Sequence, residues 1–346
     1  MTSKKQITLD DIAKELKISK VAVSKALRDH PDISMETKNL VIETATRMGY
    51  VPNFVARNLS AKRSNTIGLV VPKVAHHFLS DAIEYIYEYA YKQKYEIFMT
   101  VSEENPDHEI RHLQSLLSMR VDGLLISVTE HTKDHEIFKT IKARGVPLVF
   151  FDRVINDIGF SCVTSDDEGG SFEAVSYLVR AGYTKIAHLA GYDYTSIGRL
   201  RKAGFLRGVK KHKLDVPEGW IIEGGFSEDS GYKNMIRLFK TGNMPEVIFT
   251  VTYPVAIGVM LAAEELGISV PEQLNIFCFG GSHYNHFIKP SLSFVRQPVE
   301  EIARTAVNLI IDEINDATDK PQNIKIPTEV VVCDTCLSKS EKDYYE

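Results

Sequence analysis

A segment near the start of the chain presents basic and polar side chains at helical spacing. Val23, Ala26 and Leu27 repeat on one face of a predicted helix that Ser19 can cap. The opposite face carries Lys20, Val21, Ser24, Lys25 and Arg28. Lysine and arginine donate hydrogen bonds to base edges and phosphates, so a face of this composition is suited to reading DNA.

Two further helices are predicted around this segment. Thr8 can cap a first helix, the Lys17-Ile18 pair makes a short turn before Ser19, and Ser34 opens a third helix that Gly49 ends. The third helix is expected to turn inward Leu40, Val41, Ala45 and Met48. Two helices joined by a tight turn and braced by a third form a helix-turn-helix, whose second helix lies in the DNA major groove. A three-helix protein-interaction module is the alternative.

A fourth segment begins at Pro52, where Asn53 can cap a short helical stretch that reaches Leu59. Alone it is too short to be a stable helix in water. We therefore expect it to fold only against a partner.

Two motifs elsewhere have the spacing of catalytic or metal sites. His108-Glu109-x-x-His112 matches the zinc-protease helix, but Pro106 and Asp107 mark a helix start and no third ligand is evident, which favours a solvated helix face. Cys333-x-x-Cys336 follows a β-branched run rather than opening a helix, so a strand filler is favoured over redox chemistry. Four cysteines in so long a chain do not suggest a disulfide framework.

The segment Gly280-Gly281-Ser282 follows a predicted strand, but no Lys-Ser or Lys-Thr pair comes after it. Neither a G-x-G-x-x-G nor a G-x-S-x-G motif occurs in the chain. We expect no enzyme activity, no catalytic residue, no metal and no cofactor.

Beyond a polar linker at Ser60–Asn65, apolar runs alternate with amphipathic segments. Strands are predicted at Ile67–Pro72, Glu96–Val101, Gly123–Val128, Pro147–Phe151, Lys185–Ala190, Trp220–Glu223, Val247–Val251 and Leu274–Phe279. Near-continuous apolar strands that alternate with helices indicate parallel sheets covered on both faces. Two such sets in tandem predict two doubly wound lobes with a cleft between them.

Charge separates the two parts of the chain. Residues 1 to 65 contain 12 Lys and Arg against 7 Asp and Glu, a net charge of +5, whereas the whole chain carries −5. A basic head on an acidic body concentrates the positive electrostatic potential, which attracts phosphate groups, in the N-terminal part of the chain. Because no apolar run follows Met1 and none approaches a bilayer-spanning length, we expect a cytoplasmic protein, associated with the nucleoid and not with a membrane.

Several motifs resemble the lactose-repressor/galactose-repressor (LacI/GalR) family. They are Thr8-Leu-Asp-Asp-Ile-Ala13, Ile18-Ser19-x-x-x-Val23-Ser24, Ile33-Ser34-x-x-Thr37, Gly49-Tyr50-x-Pro52-Asn53, Ala56-x-x-Leu59, Asp152-Arg153, Arg201-x-x-Gly204-Phe205 and Gln297-Pro298. The resemblance covers nearly the whole chain. It implies a small all-α helix-turn-helix head and an α/β body of two parallel-sheet lobes, like a periplasmic binding protein.

The resemblance assigns roles in the head. Lys20, Val21 and Lys25 match base-reading positions, and Ser19, Ser24, Thr37 and Asn53 match phosphate-contacting positions. Ala56 and Leu59 match the hinge helix, whose leucines wedge into the minor groove of a pseudo-palindromic operator.

The resemblance also assigns an effector cleft. Phe78, Arg201 and Phe226 match effector-contacting positions, and His76 lies at the predicted cleft mouth. A surface loop is the alternative for His76, and a salt bridge at a helix start is the alternative for Arg201. At Thr252-Tyr253 the family usually carries Asn-Asp, and at Gly280 it usually carries Asp.

Because both departures remove a carboxylate near Arg201, the cleft is expected to be more positive than is usual. The effector is then a small molecule such as an anionic or more apolar sugar derivative, for example a phosphorylated or acidic sugar. A pocket that has lost its ligand is the alternative.

The predicted organisation is a helix-turn-helix domain at 1–51, a hinge and linker at 52–65, and an effector-binding and dimerisation domain at 66–346. Lobe one takes about 66–164 plus 297–326, and lobe two about 165–295 plus 327–338. The predicted function is a homodimeric, DNA-binding transcriptional repressor gated by a small molecule. A cytosolic solute-binding protein with a vestigial head is the alternative.

Overall fold

The computed structural model describes residues 7–51, 63–318 and 320–342. The chain divides into two compact units, Met1–Ser64 and Asn65–Glu346, called here the head and the body. The predicted hinge positions Asn53, Ala56 and Leu59 lie outside the described residues.

The described part of the head consists of α1 (Leu9–Leu16), α2 (Lys20–Ala26) and α3 (Met35–Met48). Thr8, Ser19 and Ser34 each cap a helix, because their hydroxyl oxygens accept from a backbone N–H in the first turn. Lys17 and Gly49 adopt the left-handed conformation that ends α1 and α3. The buried core is Ile12, Ala13, Val23, Ala26, Val41 and Ala45.

One predicted core position of the head is wrong. Leu40 is 50% exposed, whereas its neighbour Val41 is fully buried. Successive helical residues point about 100° apart, so a stripe that includes Val41 and Ala45 leaves Leu40 at its outer edge.

The body contains two six-stranded sheets. Sheet one has the order β11-β5-β4-β3-β1-β2, and sheet two the order β12-β10-β9-β8-β6-β7. The strands are β1 (Thr66–Val71), β2 (Glu96–Val101), β3 (Gly123–Ile126), β4 (Leu148–Phe151), β5 (Ser161–Ser165), β6 (Ile186–Ala190), β7 (Ile221–Glu223), β8 (Val247–Thr250), β9 (Asn275–Phe279), β10 (Ser293–Arg296), β11 (Asn323–Ile326) and β12 (Glu329–Val331). All pair in parallel except β10 with β12, which confirms the predicted fold class.

Helices cover the sheets. They are α4 (His77–Lys92), α5 (Pro106–Ser118), α6 (Glu136–Ala143), α7 (Asp167–Arg180), α8 (Ser196–His212), α9 (Glu228–Phe239), α10 (Tyr253–Glu265), α11 (Val299–Ile314) and α12 (Lys339–Lys342), with a 3₁₀ turn at His283–Phe287. The apolar cores lie between sheets and helices, and the strands of sheet one are buried from end to end at β1, β3 and β4. This is the burial expected for parallel sheets with two covered faces.

The chain passes between the sheets after β5, β10 and β11, and hydrogen bonds join these passages. Asp166 donates its backbone N–H to the Ile326 carbonyl at 2.8 Å. Gln297 donates its side-chain amide to the Ser165 hydroxyl at 3.2 Å. The carboxyl ends of the central strands of both sheets therefore face each other across a cleft, which is where ligands bind in open α/β folds.

Candidate DNA-binding and effector sites

The outward face of α2 carries the three predicted base-reading side chains. Val21 is 63% exposed, and the side chains of Lys20 and Lys25 are 58% and 34% exposed. Val23 and Ala26 on the opposite face are buried in the head core. Because the face with Val23 and Ala26 is buried, the face with Lys20, Val21 and Lys25 is the one available to a partner.

Both lysines are paired with carboxylates of the head. Lys20 Nζ lies 2.7 Å from Asp10 Oδ2, and Lys25 Nζ lies 2.8 Å from Asp32 Oδ2. The Lys25 hydrogen bond lowers the pKa of Asp32. Exposed pairs of this kind contribute little to stability, so a phosphate or a base edge can replace the carboxylate at small cost.

The predicted phosphate contacts in the described residues also support the helix ends. Ser19 and Ser34 are N-cap residues, and the Ser34 and Thr37 hydroxyls lie 2.9 Å apart. Ser24 accepts a hydrogen bond from Arg28 Nη2 at 3.0 Å. Ser19, Ser34 and Thr37 lie at helix N-termini, where backbone dipoles favour anions, and Ser24 lies on the polar face of α2.

The cleft between the sheets contains an inner cavity close to the passages. It is lined by His76–Leu79, Asp152, Arg153, Ile197, Arg201, Thr252–Pro254, Phe279–Gly281 and Gln297. Six of the seven predicted effector positions are among these residues, while Phe226 is not. The cavity measures about 20 Å³, which is room for one water-sized group.

Arg201 is held by the interior of lobe two. Its Nε donates to Asp167 Oδ1 at 2.7 Å, its Nη1 donates to the Val251 carbonyl at 2.8 Å, and its guanidinium lies 3.8 Å from the Phe279 ring centroid. The side chains of Arg201 and Asp167 are each 2% exposed. A buried guanidinium needs such a partner, because an unpaired charge is costly in a low-dielectric interior.

The second arginine of the cleft is also paired. Arg153 Nη1 donates to both carboxylate oxygens of Glu104 at 2.9 Å, and the guanidinium lies 5.1 Å from the Phe226 ring centroid. The prediction that the cleft carries an excess of positive charge is therefore wrong, because Asp167 and Glu104 neutralise the two arginines. Neither pair has a local sequence signal, since Asp167 lies 34 residues from Arg201 and Glu104 lies 49 residues from Arg153.

Three polar side chains of the inner cavity have buried nitrogen or oxygen atoms without a hydrogen-bond partner among the described residues. They are both ring nitrogens of His76, Nε of Arg153 and the hydroxyl of Tyr253. Burial, with Arg153 next in effect, lowers the pKa of His76 to about 3, so its ring is neutral. Burial raises the pKa of Tyr253 to about 12.

The two departures from the family pattern have local explanations. Thr252 donates its hydroxyl to the Phe226 carbonyl at 3.2 Å and so ties the start of α10 to the loop after β7. Gly280 has φ +77°, and a Cβ there would lie 3.0 Å from Gln297 Oε1. In this backbone conformation, an aspartate at position 280 would be strained.

Side chains from the two lobes meet on one side of the inner cavity. Ser282 Oγ lies 3.3 Å from His77 Nδ1, and the His77 ring packs edge-on against Tyr253 with centroids 5.5 Å apart. Nearby, His283 Nε2 lies 3.0 Å from Asp81 Oδ2. The chain's own side chains thus close the inner cavity.

An outer cavity of about 460 Å³ lies on the rim between the lobes. Lobe one contributes Val128–Glu130, Thr132, His135 and Arg153–Asp157, and lobe two contributes Tyr194–Ser196 and Arg199. Val154 donates its N–H to Ser196 Oγ at 3.0 Å across it. Sequence reasoning missed this cavity, because its walls are loops from three separate strand ends.

The segment His108-Glu109-x-x-His112 has a structural role. Glu109 is 1% exposed and accepts from Thr129 N and Thr132 Oγ1, both at 2.8 Å, while His112 Nε2 contacts the Val101 carbonyl. Burial raises the pKa of Glu109 to about 7. Across the described ranges, no group of three His, Cys, Asp or Glu residues that could hold a metal is found.

The cysteine pair shows no activation. Burial raises the pKa of Cys333, and Cys336 is buried with Sγ against the Ile276 carbonyl. All four cysteines are unbridged thiols. No helix in the described part of the chain is long and apolar enough to cross a bilayer.

A helix-turn-helix head joined to a two-lobed α/β body with a central cleft defines a ligand-responsive DNA-binding regulator. Residues 8–53 match the model of bacterial regulatory proteins of the lacI family, and residues 175–336 match that of the periplasmic binding protein-like domain.

Full-length relatives are similar over almost their whole length. Catabolite control protein A of Priestia megaterium is 30% identical over 325 residues, covering 94% of this chain and 97% of that protein. The HTH-type transcriptional repressor PurR of Pasteurella multocida is 26% identical, with the same coverage. The Lac repressor dimer bound to operator and the anti-inducer ONPF has a TM-score of 0.85 at 24% identity and covers 96% of this chain and 100% of that one.

The chain belongs to the lacI family of bacterial regulatory proteins. It is a transcriptional regulator with a DNA-binding head and an effector-binding body. The relatives are transcriptional regulators rather than enzymes or solute carriers, so a solute-binding protein with a vestigial head is not favoured.

Proposed function

We propose that the protein is a repressor that binds a pseudo-palindromic operator as a homodimer, each head placing α2 in the major groove. Lys20, Val21 and Lys25 contact base edges, and Ser19, Ser24, Thr37 and Asn53 contact phosphates. The observation that carries this role is the exposed Lys20–Lys25 face of α2 opposite a fully formed head core. In this proposal the protein works in the cytoplasm, at the nucleoid.

The proposed division is a DNA-binding domain at 1–51, a hinge at 52–65 and a body at 66–346. Ala56 and Leu59 of the hinge insert into the minor groove. Such insertion bends the duplex and needs two hinges side by side, so it couples DNA binding to the dimer.

Exposed aromatic side chains on the body support a homodimer. Tyr87 and Tyr91 lie one turn apart on α4 and are 43% and 77% exposed. The Tyr87 hydroxyl donates to the Ile97 carbonyl on the edge strand β2, next to Phe98, which is 41% exposed. These three residues are called the aromatic patch. Apolar side chains of this size, grouped on an edge strand and its helix, favour an interface between copies.

A small molecule bound between the lobes controls the proposed DNA binding. Residues after β1, β4, β6 and β9 reach the cleft from both lobes, so a ligand there contacts both at once. Such a ligand shifts the population of lobe arrangements by its difference in affinity for them. The proposed effector is a small molecule, either a sugar derivative or an anionic ligand. The assigned positions are His76, Phe78, Arg201, Phe226, Thr252, Tyr253 and Gly280.

Footprinting of the full-length protein on the promoter regions that flank its own gene, with and without sugar acids and sugar phosphates, tests this function. Protection of a symmetric site that changes with one of these compounds is the expected result. Binding that is equally tight on random DNA would contradict it.

A further inference from the structure

An arginine without an assigned role ends the outward face of α2. Arg28 follows Val21 by seven residues and Lys25 by three, and positions with this spacing lie on one side of a helix. Its backbone continues the helical turn, since its N–H donates to the Lys25 carbonyl at 3.2 Å, and Asp29 then takes the left-handed conformation with φ 53°. Arg28 is exposed and therefore completes the row of outward side chains that begins at Val21.

The acids closest to Arg28 in the sequence are paired with other side chains. Asp29 Oδ1 lies 2.7 Å from Lys38 Nζ, and Asp32 Oδ2 lies 2.8 Å from Lys25 Nζ. Among the described residues of the head, no carboxylate lies within ion-pair distance of Arg28. Lys25 must therefore exchange a carboxylate for DNA, whereas Arg28 can bind DNA without giving up an ion pair.

Ser24 holds the guanidinium of Arg28 along the helix. Arg28 Nε donates to the Ser24 carbonyl at 3.1 Å, and Arg28 Nη2 donates to the Ser24 hydroxyl at 3.0 Å. These contacts use two of the five N–H groups of a guanidinium, and Nη1 has no hydrogen-bond partner among the described residues. The remaining donors form the outer edge of the group. A side chain that is already held in place loses less conformational freedom when it binds.

Two N–H donors side by side match the major-groove edge of guanine. Guanine presents two acceptors there, O6 and N7, whereas each of the other three bases presents a donor or a methyl group in place of one of them. The seven residues from Val21 to Arg28 span about 10 Å along a helix, which corresponds to about three base pairs of DNA. Val21 and Arg28 therefore meet different base pairs.

We propose that Arg28 reads a guanine in each half-site of the operator, near the C-terminal end of α2, and that Ser24 positions it. The inference rests on the proposed DNA-binding function and adds a base-reading side chain to Lys20, Val21 and Lys25. Ser24 can still contact a phosphate, because its hydroxyl oxygen accepts from Arg28 while its hydrogen remains available to a phosphate oxygen.

Site selection from a random duplex DNA pool by the full-length protein and its Arg28→Ala variant tests the proposal. The wild type is expected to select guanine at one position of each half-site, and Arg28→Ala should lower that preference about tenfold. Ser24→Ala should lower the preference at the same position by a smaller factor. The double variant should be no less selective there than Arg28→Ala, because Ser24 acts on this base only through the arginine.

Arg47→Ala is the matched control, since Arg47 belongs to α3 and its Nη2 lies 3.2 Å from Glu15 Oε1. It should leave the preference at every position unchanged. Arg28→Ala that weakens binding to all sequences equally would make Arg28 a phosphate contact, and Arg28→Ala without effect would remove it from the DNA interface. Either result overturns the inference.

The same experiment separates this inference from the proposed function. A wild-type protein that selects no sequence contradicts both, whereas one that selects a site independent of Arg28 contradicts only the role of Arg28. Thermal melting of each variant shows whether it is folded.

Discussion

Arg201 in the second turn of α8 and Asp167 at the start of α7 form an ion pair of 2.7 Å, and each side chain is 2% exposed. Ser165 donates its hydroxyl to the same Asp167 oxygen at 3.2 Å, and Gln297 donates to Ser165. The arginine that the family resemblance assigns to the effector is thus linked to the passages between the lobes. We expect the main role of Arg201 to be to fix the relative positions of the segments that connect the two lobes.

Asp167→Asn should destabilise the protein by about 3–5 kcal/mol, because it leaves a buried guanidinium without its carboxylate. Urea unfolding measures the loss. The pair Arg207–Glu168 joins the same two helices with 48% and 33% exposed side chains, so Glu168→Gln should cost about 0–1 kcal/mol. Equal losses at the two sites would show that burial does not decide the strength of the pair.

Acid should weaken the folded state through His188. Its ring stacks between Phe205 and Phe249, and burial lowers its pKa from 6.5 to about 4. The unfolded chain binds the proton first, so this contribution is complete above about pH 6.5 and is lost as the pH falls toward 4. Between pH 7 and 5 it amounts to about 2 kcal/mol. Relative to the wild type, the free energy of unfolding of His188→Phe in urea should therefore rise as the pH falls from 7 to 5, whereas the exposed control His108→Gln should show no such change.

Glu109 should act in the opposite direction. Burial raises its pKa from 4.5 to about 7, so the folded carboxyl keeps a proton that the unfolded chain has released. Its contribution is therefore complete below about pH 4.5 and is lost as the pH rises through 7, by roughly 3 kcal/mol in all. Relative to the wild type, the free energy of unfolding of Glu109→Gln should therefore rise as the pH increases from 5 to 8. A difference between variant and wild type that stays constant over this range would refute the assignment.

The architecture could be predicted from the sequence, whereas the ion pairs between side chains of the cleft could not. Helix caps at Thr8, Ser19 and Ser34, and apolar runs such as Val247–Thr250, are local signals that depend only on neighbouring residues. The short strand β5 was not predicted, because Ser161–Ser165 is mostly polar and is stabilised by its neighbours β4 and β11.

Pairing in the cleft depends on tertiary geometry. Arg153 meets Glu104 and Arg201 meets Asp167 only after two lobes have formed, and no periodicity in the sequence marks either pair. The same is true of the outer cavity, whose size follows from how closely the lobe-one loops approach Ser196 on α8.

Base reading by Lys25 can be tested with operator variants. Lys25→Ala should relax the preference at one base pair by about 1–3 kcal/mol, as expected for a direct contact. Loss of the exposed pair with Asp32 contributes little to folding. Lys14→Ala, an exposed lysine on α1, is the control. Equal weakening on all DNA sequences would instead make Lys25 a phosphate contact.

The aromatic patch can be tested by sedimentation. Tyr91→Asp places a charge where the side chain is 77% exposed in the single chain, so folding should be unaffected while the dimer dissociates. Leu206→Asp on α8, where the leucine is 42% exposed, is the control outside the patch. A Tyr91→Asp protein that remains dimeric would place the interface elsewhere.

Selection of binding sites from a random duplex DNA pool by the full-length protein, read by sequencing, tests the central claim most directly. The account predicts enrichment of a two-fold symmetric site whose half-sites change when Lys20 and Lys25 are replaced by alanine. A pool that shows no enriched sequence, or the same enriched sequence for the double variant, would contradict the claim that α2 reads an operator.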